Sequence, residues 1–184
     1  MLALLAASLT ITNDSHGSPA PTSFAVTCKG GVSDSFGVSG DITNPQSFDL
    51  QKLRALRPSS AVDDYFIRGS SAKSGQFGGN ALWDLLNETG IRTEPAVKNS
   101  LDRKYVVVTG TDCYQAVFAM GELDPALRGA AQTIVAYERW VNGHEASLGD
   151  DGFARLIVPG DKAGTRRVSN IAEIQVLSVP PLPR

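Results

Sequence analysis

A chain of 184 residues that is 42% hydrophobic and 20% charged can bury one sizeable core, so we expect a single domain. A formal net charge of −2 gives no general attraction to nucleic acid or anionic membranes, and we predict no nucleic-acid partner. The two cysteines and two histidines do not occur at zinc-ligand spacings, which argues against an ordinary structural zinc site.

The chain begins with an apolar stretch, MLALLAASLTI, that is too short to span a bilayer. A polar stretch rich in Ser, Pro and Gly follows it, and we interpret residues 1–23 as a signal remnant or a polar tether. This predicts a periplasmic or secreted protein without a transmembrane segment, and a cytoplasmic protein with a frayed terminus is the alternative. Residues 24–179 are predicted to form the single domain, followed by a proline-rich tail at residues 180–184.

Cys28 and Cys113 are the two cysteines of the chain. In an oxidising compartment they could form a disulfide, provided that their Cα atoms approach closely enough. Two separate buried thiols would fit the sequence equally well. Both alternatives remain open at this stage.

Two short strands are predicted near the start of the domain, over residues 24–32 and 36–42, because Val, Phe and Ile cluster there between glycines. A short helix follows an Asn-Pro turn, with leucines at helical spacing over residues 50–56. Ser47 or Asp49 is expected to be its N-cap.

The middle of the chain, residues 59–79, is rich in Ser and Gly apart from the apolar residues 65–67. We predict one strand and then a long loop there, with residues 69–79 as the most mobile internal segment, because they offer little apolar surface to offset backbone ordering. Asn80 is expected to cap an amphipathic helix that ends at Gly90.

The second half of the chain predicts strands over residues 104–109, 113–118, 131–137, 153–158 and 171–176. A helical turn is expected near Leu123. Asn142-Gly143 strongly indicates a hairpin, but the sequence does not identify the second strand of that hairpin. The order of the elements predicts an α+β fold with a mixed or antiparallel sheet and a few short helices.

Four segments carry a family resemblance: GVSGDITNPQSFDLQKLRAL, FGGNALWDLLNETGI, YVVVTGTDCYQAVFAMGELD and RLIVPGDKAGTRRVSNIAEIQV. In this order they resemble the molybdopterin-binding domain of the sulfite oxidase type of oxidoreductase, with Cys113 in place of a common Gly. The similarity covers roughly residues 37–176 and implies a sulfite oxidase molybdopterin-binding-like fold.

The family's metal centre depends on one cysteine thiolate, which ligates molybdenum beside the sulfurs of the pterin dithiolene. The equivalent stretch here, DDYFIRGSSAKSG, contains Arg68 but no cysteine. Neither Cys28 nor Cys113 occupies the ligand position. The resemblance therefore implies a family member that has lost its metal ligand, without a metal site and without a bound cofactor, although molybdopterin remains possible by resemblance.

The loop between the last two predicted strands, PGDKAGTRR, combines glycines with Lys162, Arg166 and Arg167. Cations beside free loop amides predict an anion-binding site, and in the family this loop approaches the pterin phosphate. Arg68, where the ligand cysteine would be, is the fourth candidate cofactor-binding residue. The alternative is that these charges are simply solvated, with Arg166 and Arg167 protecting a sheet edge.

We therefore predict an extracytoplasmic module that binds a small anionic ligand or a partner protein, and we assign no catalytic residue. One alternative is an active molybdopterin-dependent oxidoreductase of the oxotransfer type, with Cys113 as an unusual metal ligand. Another is a structural secreted domain without any ligand. Neither the natural ligand nor the oligomeric state follows from the sequence.

Overall fold

The computed structural model describes residues 24–56, 60–68, 71–128 and 132–180. Within these ranges the strands are β1 Ser35–Gly40, β2 Gln46–Asp49, β3 Ser60–Arg68, β4 Ser71–Ala81, β5 Lys104–Gly110, β6 Gln115–Ala119, β7 Ile134–Val141, β8 His144–Ala146, β9 Arg155–Ile157 and β10 Ile171–Ser178. The helices are α1 Leu50–Ala55, α2 Leu82–Thr89, α3 Met120–Leu123 and α4 Pro125–Arg128, with 3-10 turns at Ser100–Arg103, Gly149–Asp151 and Gly164–Arg166.

The strands form two sheets. Sheet 1 has the order β2-β1-β10-β5-β6, in which β1 and β10 are parallel and the other neighbours are antiparallel. Sheet 2 has the order β3-β4-β7-β8, with β9 also paired to β7, and its pairs are antiparallel. The predicted α+β class, with mixed and antiparallel pairing and few short helices, is confirmed, although the strands divide into two sheets rather than one.

One hydrophobic core draws side chains from both sheets and from α2. Val38 and Ile174 come from sheet 1, Leu156 comes from sheet 2, and all three are fully buried. The helix α2 adds Leu85 and Leu86 from its apolar side. Burial of these side chains is the main force that holds the two sheets together.

Local sequence signals place several elements correctly. Asp49 caps α1, because its side chain accepts a hydrogen bond from the Lys52 amide at 2.8 Å. Gly90 ends α2 in the left-handed region with a φ of 73°. Asn142 and Gly143 both have positive φ and join β7 to β8, which identifies the missing hairpin partner.

The strand predicted over residues 24–32 is wrong, because the described chain has no strand before β1. Cys28, Gly30 and Gly31 have φ values of 56°, 70° and 98°, and such left-handed backbone cannot form a regular strand. We call residues 24–32 the strap. It crosses from β1 towards the turn between β5 and β6, as described below.

The mobile loop predicted over residues 69–79 is also wrong from residue 71 onwards, and residues 69 and 70 lie outside the described ranges. Residues 71–79 belong to β4, which pairs with β3 along its length and with β7 from Gln76 onwards. Ladder hydrogen bonds stabilise this strand despite its low apolar content. Asn80 is likewise inside β4, and Ala81 takes the N-cap position of α2.

Candidate functional site

The predicted anion-binding loop connects β9 to β10 and carries the Gly164–Arg166 turn. Gly160 adopts a φ of 88°, as its place in a tight loop suggests. Lys162, Arg166 and Arg167 all lie on this loop, as the sequence predicted. The three side chains differ in burial and in hydrogen-bond partners.

Arg167 is buried and fixes the position of the loop. Its Nε donates to Asp64 Oδ2 at 2.7 Å and its Nη2 donates to Asp64 Oδ1 at 2.5 Å, so that the loop is joined to β3. The same guanidinium donates to the carbonyl oxygens of Ala163 at 2.9 Å and Val158 at 3.1 Å. Five percent of the residue is exposed. Arg167 thus organises the loop from within.

Arg166 is half-buried between two carboxylates and an aromatic ring. Its Nε and Nη2 donate to Asp161 at 2.9 and 2.8 Å, and its Nη1 donates to both oxygens of Glu122 at 3.1 Å. Its Cζ lies 5.0 Å from the centroid of the Phe118 ring. The hydrogen bonds to Asp161 raise the pKa of Arg166 above its usual value, burial opposes this, and Glu122 adds to the increase.

Lys162 is exposed and has no hydrogen-bond or ion-pair partner among the described residues. Among the side chains that the structure describes, the loop and its ion-pair partners include three cations and three carboxylates: Lys162, Arg166 and Arg167 against Asp64, Glu122 and Asp161. These six formal charges sum to zero. A dianion such as a pterin phosphate would have to compete with resident carboxylates for both guanidinium groups.

Arg68 is the last residue of β3, where its backbone pairs with Ser71. Its side chain lies outside the described part of the structure, so its role as a candidate cofactor-binding residue stays a prediction. Asp64, four positions earlier on the same strand, contacts the loop through Arg167. Asp64 directly precedes the apolar residues 65–67, and this position was the signal in the sequence that could have indicated a buried ion pair.

A polar cavity of about 250 Å³ lies beside Arg167. The strap contributes Gly30 and Gly31 to its wall, and the turn after β5 contributes Asp112. Ser169, two residues after Arg167, also lines it. Arg167 is the one predicted site residue that reaches this cavity among those whose side chains are described.

Tyr114 lines the same cavity, and 48% of the residue is exposed. Its hydroxyl donates to the Thr165 carbonyl at 2.5 Å, which joins the β5–β6 turn to the loop. The cavity is therefore surrounded by the strap, by this turn and by the loop.

The two cysteines form a disulfide, with their Cα atoms 4.9 Å apart and a separation of 85 positions in sequence. Of the two alternatives left open by the sequence, pairing is the one that occurs, and no free cysteine remains. Cys113 has a φ of 64° in the turn after β5, beside the polar cavity. A sulfur in a disulfide cannot act as a thiolate ligand, so this state of Cys113 does not fit the unusual molybdenum ligand of the alternative hypothesis.

A second, larger cavity of about 590 Å³ borders α2, and the sequence did not predict it. Asp84 and Glu88 line it, together with Asn87 and Leu56. The i, i+4 spacing of the two acids on one helix was the available signal. The negative charge of its described lining is opposite in sign to that expected of an anion-binding site.

No protein-family model matches the chain, and no curated protein is significantly similar to it. Among the described residues there is no group of three or more side chains placed to hold a metal ion. Within the same ranges, no helix has the length and apolarity needed to cross a membrane.

Proposed function

We propose that the chain is an extracytoplasmic, molybdenum-free binding module built on a fold that resembles the sulfite oxidase-type molybdopterin domain. The observation that carries this proposal is the Cys28–Cys113 disulfide, which uses both cysteines of the chain. Molybdenum ligation of the kind found in that family requires a cysteine thiolate. The residues present therefore do not fit such a metal centre.

The segment that would carry the ligand cysteine supports the same conclusion. Residues 63–75 contain no cysteine and fall mostly within the β3–β4 hairpin. Asp64 of this hairpin is already hydrogen-bonded to Arg167. The hairpin therefore helps to hold the loop between β9 and β10 in place.

The disulfide also supports the proposed location. Disulfides form and persist in oxidising compartments and are rare in the cytosol. Together with the apolar stretch at the start of the sequence, this favours a periplasmic or secreted protein.

The polar cavity beside Arg167 is the proposed ligand site. Its volume of about 250 Å³ is below the range of about 300–1,000 Å³ that is typical of pockets for drug-sized ligands. This size suits a small anion better than a pterin cofactor. Arg167 is the cation that lines the cavity, and an anion there would have to share its guanidinium with Asp64. Asp112 is a carboxylate of the lining that would oppose an anion.

Metal analysis tests the proposal directly. The full chain would be exported from a host that makes molybdenum cofactor, purified without reductant and measured for molybdenum. We expect no metal above background, and stoichiometric molybdenum would establish the oxotransfer alternative. The Cys28→Ser variant, which frees the Cys113 thiol, is the matched control. We expect it to remain metal-free, because Cys113 does not occupy the ligand position.

Thermal unfolding with inorganic phosphate or sulfate tests the ligand site. A specific anion raises the melting temperature by linkage. Asp112→Asn should increase this rise, because it removes the opposing charge while its side-chain oxygen can still accept from the Tyr114 amide. Lys162→Ala lies outside the cavity lining and should leave the rise unchanged. If neither anion stabilises the wild type or Asp112→Asn, the structural domain without a ligand is favoured.

A further inference from the structure

The strap lies across the face of sheet 1 that is opposite the core. The ring of Phe24 rests against Gly37 of β1, where an added Cβ would overlap the ring atoms. The amide of Phe24 donates to Glu173 Oε1 on β10 at 2.8 Å. Further along the strap, Cys28 is joined to Cys113 in the β5–β6 turn. The strap thus spans several strands of the sheet.

Apart from the disulfide, few interactions hold the strap. Gly30 donates its amide to the Thr111 carbonyl at 3.0 Å, and the Thr111 hydroxyl donates to the Gly31 carbonyl at 2.7 Å. The side chain of Val32 points largely into solvent, with 69% of the residue exposed. The strap therefore buries little apolar surface, and its ordering depends strongly on the covalent bond.

Immediately after the strap the chain is well anchored. Ser33 is buried, its amide donates to Asn170 Oδ1 at 3.1 Å, and its carbonyl accepts from the Phe153 amide at 3.4 Å. Gly30 and Gly31 precede this anchor with positive φ. These glycines give the backbone the freedom to turn about Ser33 without disturbing β1.

The strap covers buried polar groups that would be stabilised by hydration if the strap moved away. Glu173 is 5% exposed and Ser39 is fully buried, and the Ser39 hydroxyl donates to Glu173 Oε1 at 2.8 Å. The only other hydrogen bond that the described structure gives this carboxyl group comes from Phe24 of the strap. Solvation would replace that bond when the strap leaves.

We propose that the Cys28–Cys113 disulfide is a redox latch: its reduction releases the strap and opens the polar cavity while both sheets stay folded. A dithiol reductant donates two electrons and two protons, the S–S bond breaks into two thiols, and the dithiol becomes a disulfide. Gly30 and Gly31 then leave the cavity wall. The proposal rests on the proposed function only in treating that cavity as the ligand site.

Hydrogen exchange followed by mass spectrometry tests the latch on the full chain. The oxidised wild type is compared with dithiothreitol-reduced protein and with Cys28→Ser/Cys113→Ser. In both forms without the disulfide we expect residues 24–32 to lose nearly all protection. We expect β5 and β10 to remain protected, with only the decrease that the lower global stability causes. Unchanged exchange of the strap would overturn the proposal. So would a complete loss of protection in the sheet strands, because the disulfide would then hold the whole fold.

Gly37→Ala is the matched variant, because its Cβ displaces the Phe24 ring and leaves the disulfide intact. It should speed exchange near Phe24 only, and faster exchange around Gly30 would show that the ring, not the disulfide, holds the strap.

Thiol labelling measures access to the cavity. Ser169→Cys should react with iodoacetamide at least tenfold faster in the Cys28→Ser/Cys113→Ser background than with the disulfide present. Equal labelling rates would reject opening of the cavity. Both experiments are made without ligand or metal, so their outcome is independent of whether the proposed binding function holds.

Discussion

Arg167 and Asp64 form an ion pair that is almost completely removed from solvent, with side-chain exposures of 1% and 0%. Burying two charges is costly, and the pair persists because the guanidinium also satisfies loop carbonyls. Its value lies in fixing the loop between β9 and β10 relative to β3. Removing one partner would leave the other charge buried and uncompensated.

We therefore expect Asp64→Ala to lower the free energy of unfolding by about 3–5 kcal/mol, measured by urea denaturation at neutral pH. The control is Glu145→Ala, which breaks an exposed pair with Arg54 whose side chains are 52% and 54% exposed. That loss should be about 0–1 kcal/mol. Equal losses in the two variants would contradict the role assigned to the buried pair.

Asp41 is a second charged residue whose surroundings affect stability. Burial acts to raise the pKa of its carboxyl group, but hydrogen bonds from Ser178 and Lys104, with the charges of Lys104 and Arg92, outweigh burial and hold the pKa below 3.8. The Lys104 Nζ lies 3.1 Å from Asp41 Oδ2, and its side chain is fully buried. The folded state thus binds this proton less readily than the unfolded state.

A lowered folded-state pKa stabilises the protein at pH values above the unfolded pKa, and this contribution is lost as the pH falls through the folded pKa. The difference in unfolding free energy between wild type and Asp41→Asn should therefore be constant near neutral pH and shrink in acid. Urea denaturation over a series of pH values from about 6 to 2 measures it. A difference that does not change with pH would show that Asp41 acts only through packing.

At the scale of elements, β4 depends on glycine for close approach to β7. An added Cβ at Gly79 would overlap backbone atoms of Val135 and Ala136, which cannot move without breaking the ladder. At Gly75 the nearest atom is Cε2 of the Phe77 ring, 3.0 Å away, and a side chain can shift. The two glycines of one strand therefore have different roles.

Gly79→Ala should destabilise the protein by at least about 1–3 kcal/mol, because the overlap involves backbone. Gly75→Ala should cost clearly less, since the Phe77 ring can turn aside. Urea denaturation of both variants gives the comparison. A larger loss for Gly75→Ala would mean that the register of β4 and β7 differs from the one described.

Elements governed by local chemistry were predictable from the sequence. The Asp49 cap, the Gly90 stop and the Asn142-Gly143 turn depend on neighbouring residues alone. The strand β4 and the strap were missed because distant pairing and a disulfide determine them, and neither leaves a local pattern.

The candidate site shows the same division. That Lys162, Arg166 and Arg167 share one loop follows from their proximity in sequence. Their partners do not: Asp64 is 103 residues from Arg167, and Glu122 is 44 residues from Arg166. The charge balance of the loop therefore depends on contacts that a single sequence does not reveal.

At the scale of the whole molecule, the disulfide closes a loop of 85 residues and restricts the unfolded chain far more than the folded one. Cys28→Ser/Cys113→Ser should lower the free energy of unfolding by about 2–5 kcal/mol. Urea denaturation of the double variant and of reduced wild type should agree, since both lack the same bond. Wild-type stability that is insensitive to reductant would contradict this.

The Cys28–Cys113 bond uses both cysteine sulfurs of the protein, which leaves no thiolate for a metal. The most direct measurement is the intact mass of the exported full chain after denaturation and alkylation with iodoacetamide in the absence of reductant. We predict no alkylated cysteine before reduction and alkylation of both Cys28 and Cys113 after it. Alkylation of both cysteines without prior reduction would contradict it.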